Sequence, residues 1–281
     1  MDMAIDMIWI NRFNNYCNVA SLTLLSFDYI LTVHHEIEYI WESKWNLVKI
    51  LFLLTRYLPF IDCVVVFIHQ FTPDLTGEQC AVAYQYSAWM FVIGITIAEL
   101  LLTIRAWAVW EKDRRLTIML AIFFASFCVV EWVMMGLFLK PLEHVAALQR
   151  PWIVCGTLHI NQLLSGCWVV LMVYDAAIFS LIAVQAWRTF RSWGDVPLTR
   201  IIYHDGIIYF AYLFCLSLLN VIIILKFPKQ YVNLLSLLER VVHSVLTCRI
   251  ILHIRHLTSK RTRPPEFDQI HLKDLTVLVP F

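Results

Sequence analysis

The chain has 281 residues, of which 60% are hydrophobic and 15% charged, with 22 Lys and Arg against 21 Asp and Glu. A soluble domain is about 45–50% apolar, so this composition excludes that class and points to a membrane. The near-zero net charge gives no argument for nucleic acid, and its distribution along the chain matters more than its sum.

The first stretch, Met1 to Asn15, holds Asp2 and Asp6 and only Arg12 as a basic residue. It lacks the basic leader of a cleaved signal peptide, so the first apolar segment is expected to be retained behind a short extracellular N-terminus, 1–13. A spanning helix needs about 20 mostly apolar residues. Seven segments qualify, at about 14–33, 47–70, 84–107, 116–138, 164–187, 203–225 and 232–254. They predict an all-α membrane protein, a seven-transmembrane helix bundle over 14–254. A basic tail, 255–281, follows, and its part from His256 to Pro265 is expected to lack fixed structure. Pro59 removes a hydrogen bond from the second helix and predicts a kink near Thr55 and Arg56.

Each apolar segment is broken by polar residues. Asp28 lies in the first, Arg56 and Asp62 in the second, Glu99 in the third, Glu131 in the fourth and Asp175 in the fifth. Asn220 lies in the sixth, and Glu239, Arg240 and His243 lie within about a turn of the seventh. Ionised groups in hydrocarbon are expensive unless paired or wetted, so all of these are expected to face the interior. With a rise of 1.5 Å per residue, Asp28 and Arg56 fall about 9 and 13 Å from the same end of their helices. That is close enough to pair.

Seven crossings put the two ends on opposite sides. Of the 22 basic residues, Arg56 and Arg240 are inside helices, fifteen lie after helices one, three and five or near the tail, and five lie on the other side. The positive-inside rule then places the N-terminus outside and the C-terminus in the cytoplasm. Trp41, Trp45, Trp107, Trp110, Trp187 and Trp193 cluster at the expected cytoplasmic boundary, where aromatic residues are enriched.

The spacing of Asp28-Tyr29, Leu31-Thr32, Glu36, Trp41, Trp45, Leu51-Phe52 and Arg56-Tyr57-Leu58-Pro59 resembles the N-terminal signature of a domain of unknown function, here about 20–62. That domain occurs in multi-pass membrane proteins of mushroom-forming fungi. Cys248-Arg249, Leu252 and Ile254-Arg255 fit the same family. The resemblance implies architecture and carries no activity.

Chemical motifs are sparse. Eight cysteines, Cys17, Cys63, Cys80, Cys128, Cys155, Cys167, Cys215 and Cys248, stand singly, without the spacing of a zinc or redox motif. Cys80 and Cys155 fall outside the apolar segments, in loops that face outward in this topology. A disulfide is expected between them, because that side is oxidised during secretory passage. His34-His35-Glu36 and His253-x-x-His256 hold ligand types but no fixed third and fourth ligand, and read as interfacial polar residues rather than metal sites. Glu36, Glu38 and Glu42 alternate with Lys44 and Lys49 and read as a solvated, ion-paired face. No nucleophile elbow, zinc-protease motif or phosphate loop is present, which argues against an enzyme and predicts no cofactor.

Three functions fit: a receptor-like seven-helix sensor, a transporter or channel using the buried acids, and a scaffold without ligand. The sensor reading leads, on helix number, outside N-terminus and the expected disulfide. Its partners would be the lipid bilayer, a small-molecule ligand and a cytoplasmic protein, in the plasma membrane or another secretory-pathway membrane. The third helix nevertheless ends Ile104-Arg105-Ala106-Trp107 rather than in an acid-Arg-aromatic triplet, and the seventh has no Asn-Pro turn and no lysine to hold retinal. An opsin is excluded on chemistry.

Overall fold

The computed structural model describes residues 2–72, 76–110, 113–140, 163–193, 197–227, 231 and 234–262. Its regular elements are all helical: α1 (Asp2–Glu36), α2 (Leu47–Phe71), α3 (Gly77–Val109), α4 (Arg114–Leu139), α5 (Leu163–Trp193), α6 (Pro197–Lys226) and α7 (Ser236–Thr262). A π-helical turn, Ile37–Trp41, prolongs α1.

Local chemistry sets several helix starts. The Asn46 side chain accepts from the Lys49 amide at 2.8 Å and opens α2. Thr76 and Gln79 form a reciprocal capping box at α3, and the Asp113 carboxylate accepts from the Arg115 amide at α4. Each satisfies an amide that the first helical turn leaves unpaired.

Among the described residues, five segments are long and apolar enough to cross a membrane: Trp9–Trp41, Leu47–Ile68, Gly77–Val109, Arg114–Leu139 and Leu163–Arg188. Among the described residues α6 adds a shorter apolar run, Ala211–Lys226. α7 is not in this group because polar residues recur along its whole length. Ile30, Ile61, Ile118, Ile122, Val129 and Val133 stand exposed on the outside of the bundle, an apolar exterior around a polar interior. This is the build of a multi-pass, membrane-embedded helical protein.

Most helices run past their expected ends, α1 and α7 furthest. α1 begins at Asp2 rather than near residue 14, and α7 continues to Thr262. The expectation that the tail lacks fixed structure from His256 is therefore corrected over 256–262. Apolar content marks where lipid ends, whereas a helix continues wherever backbone bonds and anchors permit. Here Arg255 Nη1 donates to the Tyr39 carbonyl at 2.7 Å and to Ser43 Oγ at 2.9 Å. Tyr39 Oη lies 2.8 Å from His256 Nδ1, so the π-helical turn grips this end of α7.

α7 packs against α1, α2, α3 and α6, while α3 packs against α2, α4, α5 and α7. These two are the inner helices. The larger apolar cluster fills the side of α3, α4 and α5, where Tyr174 stacks on Phe127 with ring centroids 4.3 Å apart. A smaller one, Leu25, Cys63, Leu237, Val241 and Val245, lies among α1, α2 and α7.

Candidate functional site

The buried polar residues gather in three layers along the bundle. The first lines a cavity of about 160 Å³ walled by α1 to α5 and α7. All its lining residues lie toward one end, where α2 and α4 finish and α3, α5 and α7 begin. Asn18 Nδ2 donates to Gln70 Oε1 at 2.8 Å on its wall. Phe91, Ile95, Phe127, Met135, Trp168 and Leu237 are among its apolar lining, and Glu131, Asp62 and Arg240 supply charge.

Arg240 Nε donates to Asp62 Oδ2 at 3.1 Å, and both side chains are buried. The guanidinium lies flat over Gly94, where a β-carbon would overlap it; only glycine lets the arginine pass α3. Arg240 Nη1 and Nη2, Asp62 Oδ1, Glu131 Oε1 and Trp168 Nε1 are buried without hydrogen-bond partners. Each such group costs about 1–3 kcal/mol, so the cavity wall is chemically unfinished.

The second layer lies deeper, between α3, α5, α6 and α7. Glu99, Asp175 and His243 bring one donor atom each to within 4.8 Å of one another. His243 Nδ1 is 3.3 Å from Glu99 Oε1, and Nε2 is 3.9 Å from Asp175 Oδ2. Neither approach has hydrogen-bond geometry, and both ring nitrogens, both Glu99 oxygens and Asp175 Oδ1 are without partners. Ser217 Oγ lies 2.8 Å from both Asp175 Oδ2 and Glu239 Oε1. A hydroxyl has one proton, so it donates to only one of them at a time. Asn220 Nδ2 donates to Glu239 Oε2. Beside them Tyr174 Oη meets Thr103 Oγ1 at 2.5 Å, and that hydroxyl donates to the Glu99 carbonyl at 2.7 Å.

The third layer ties α1 to α2 and α7. Arg56 Nη1 donates to Asp28 Oδ2 at 2.9 Å, and Nε to Glu36 Oε2 at 3.1 Å. Nη2 donates to Thr32 Oγ1, and the guanidinium lies over the Tyr29 ring. Arg249 Nε reaches Asp28 Oδ1 at 2.5 Å, while Glu36 Oε1 accepts from Tyr57 Oη at 2.8 Å and Trp41 Nε1 at 3.1 Å. Lys49 Nζ caps the Trp41 and Ser43 carbonyls at 2.9 and 2.8 Å.

The structure therefore brings Asp28 to Arg56, Asp62 to Arg240, and Glu99 to Asp175 and His243, with Glu239 one hydroxyl away and Glu131 on the cavity wall. Glu36 and Lys49 are corrections. Read as a solvated face, both are buried: Glu36 is held by Arg56, Tyr57 and Trp41, and Lys49 by the carbonyls of Trp41 and Ser43. Position gave the missing signal: 28, 32 and 36 repeat every four residues, which puts them on one helical face. Serine at 217 and glycine at 94 gave none. Cys17, Cys63, Cys128, Cys167, Cys215 and Cys248 are free thiols. Cys80 is buried and is not among these, and the expected pairing with Cys155 lies outside the described residues because Cys155 does.

Residues 16–61 match a family of unknown function (DUF6533). The match takes in most of α1, the π-helical turn and α2 as far as Ile61, and so contains most of the third layer. Asp28, Thr32, Glu36, Lys49 and Arg56 fall within it, and Arg249 outside. No curated protein and no solved structure is similar to the chain.

Proposed function

We propose that this protein is a receptor-like sensor whose cavity takes a small apolar molecule carrying a hydrogen-bond-accepting head group. The observation that carries the reading is Arg240. Two of its guanidinium nitrogens are unpartnered and buried where the residue lines an apolar cavity toward one end of the bundle. A carboxylate, carbonyl or hydroxyl bound there would complete them, while Phe91, Phe127 and Trp168 cover the apolar body. Arg240 belongs to α7 and bonds α2 while crossing α3, so a ligand on it bears on three helices at once.

The same reading takes all seven helices as spans, with the N-terminus outside, the C-terminus cytoplasmic and the cavity facing outward. The Cys80–Cys155 bridge would hold the outer loop beside that cavity, and the bilayer would be that of the plasma membrane or another secretory compartment. No catalysis is proposed. A transporter is the second reading, favoured by the acids of the middle layer; it predicts cation-driven charge movement in proteoliposomes, which a sensor lacks.

The test uses the full chain in lipid nanodiscs, titrated with octanoate, octanal and octanol while tryptophan fluorescence and thermal midpoint are followed. At least one of the three is expected to quench saturably and to raise the midpoint. Arg240→Gln should weaken that binding at least tenfold. No saturable binding by any of the three, or equal binding by the variant, overturns the reading.

A further inference from the structure

We infer that Glu99, Asp175 and His243 form a binding site for a divalent transition-metal cation at the centre of the bundle. Three helices, α3, α5 and α7, each deliver one ligand-type side chain, and their donor atoms converge within 4.8 Å. Glu99 and His243 are 0% exposed and Asp175 is 1% exposed.

Convergence of acids alone would be weak ground. The second observation is what the converging atoms lack. Both imidazole nitrogens and three of the four carboxylate oxygens, Glu99 Oε1 and Oε2 and Asp175 Oδ1, are buried and have no hydrogen-bond partner. The fourth, Asp175 Oδ2, is held by Ser217. Buried polar atoms are nearly always satisfied, and a cation among the three residues, each of which brings one donor atom to within 4.8 Å of the others, would give each of them a partner.

Charge gives that ligand its sign. Glu239 adds a third buried carboxyl through Ser217, and the nearest arginine, Arg240, is committed to Asp62. Three carboxyl groups thus face a single imidazole, an arrangement that a cation at its centre would stabilise.

Donor type and spacing narrow the ion. Calcium takes six to eight oxygens and magnesium keeps most of its waters, whereas one imidazole with two carboxylates suits zinc, iron, cobalt or manganese. Ligand atoms about 2.1 Å from a tetrahedral metal are roughly 3.4 Å apart, and the His243 to Glu99 approach is 3.3 Å. Ser217 holds the Asp175 carboxylate from behind, as outer residues do at metal sites.

The site is distinct from the ligand cavity, whose lining includes none of the three residues, so each proposal stands without the other. The test takes full-length protein with a non-histidine tag, strips it with chelator and dialyses it separately against Zn²⁺, Co²⁺ and Mn²⁺. Metal content by mass spectrometry is expected to reach about one per chain for at least one ion. Co²⁺ should show visible ligand-field bands that Zn²⁺ abolishes. Glu99→Gln and His243→Gln should each lower affinity at least tenfold, and Ser217→Ala about tenfold. If the ligand variants do not fold, the unaltered protein decides: no metal above the dialysis background with all three ions overturns the site. Full retention by folded Glu99→Gln and His243→Gln overturns it equally.

Discussion

Arg240 Nε donates to Asp62 Oδ2 at 3.1 Å while its guanidinium rests on Gly94, so a single side chain joins α7, α2 and α3. Both partners are buried, and removal of one leaves an uncompensated charge, which costs about 3–5 kcal/mol. Asp62→Asn is expected to lower stability by that order in detergent. Asp62→Asn with Arg240→Gln should recover part of it, giving a coupling above about 1 kcal/mol in a double-mutant cycle. Additive losses would mean that the pair does not act as one.

Gly94 is needed for space. Gly94→Ala forces the guanidinium off α3 and should destabilise by about 1–3 kcal/mol. In an Arg240→Gln background the same change should cost much less, because the group it collides with is gone. Thermal melts of the four proteins decide this, and an undiminished cost would place the collision elsewhere.

In the third layer, exposure sets the ranking of two arginines. The Arg56 side chain is 2% exposed and serves two carboxylates, whereas the Arg249 side chain is 40% exposed and serves one. Arg56→Gln is expected to cost about 3–5 kcal/mol by stranding buried charge. Arg249→Gln should cost less than about 1 kcal/mol, because water already screens it. Denaturant melts that reverse the order would contradict the network.

The proposed Cys80–Cys155 bridge would close a loop of about 75 residues, worth roughly 4 kcal/mol on the chain-entropy model. Thiol labelling of denatured protein should show two more reactive cysteines after reduction than before. Cys80→Ser and Cys155→Ser should each abolish that difference. Equal labelling with and without reductant rejects the bridge.

What could be read from sequence follows physical scale. The helices were legible because a long apolar run has few alternatives in a bilayer. Asp28 and Arg56 were legible as partners because lone charges on neighbouring helices at similar depth need each other. The meeting of Glu99, Asp175 and His243 was not legible. It depends on how α3, α5 and α7 are rotated about their own axes, which packing sets and no local pattern records. The burial of Glu36 was half-legible, through its spacing from Asp28, but the turn that covers it was not.

α7 carries Glu239, Arg240, His243, Ser244 and Thr247 in the bundle interior, and the first four meet groups of other helices. As an isolated spanning segment it would carry several groups that cost about 2.5–3.5 kcal/mol each at mid-bilayer. Such a helix is a poor passenger for insertion on its own. It follows α1 to α6 in the chain, so it would enter the bilayer beside partners already in place, with Asp62 and Ser217 waiting. Biogenesis of this protein should therefore have a late, concerted step, and chains truncated before α7 should lodge more readily in the membrane than α7 does alone.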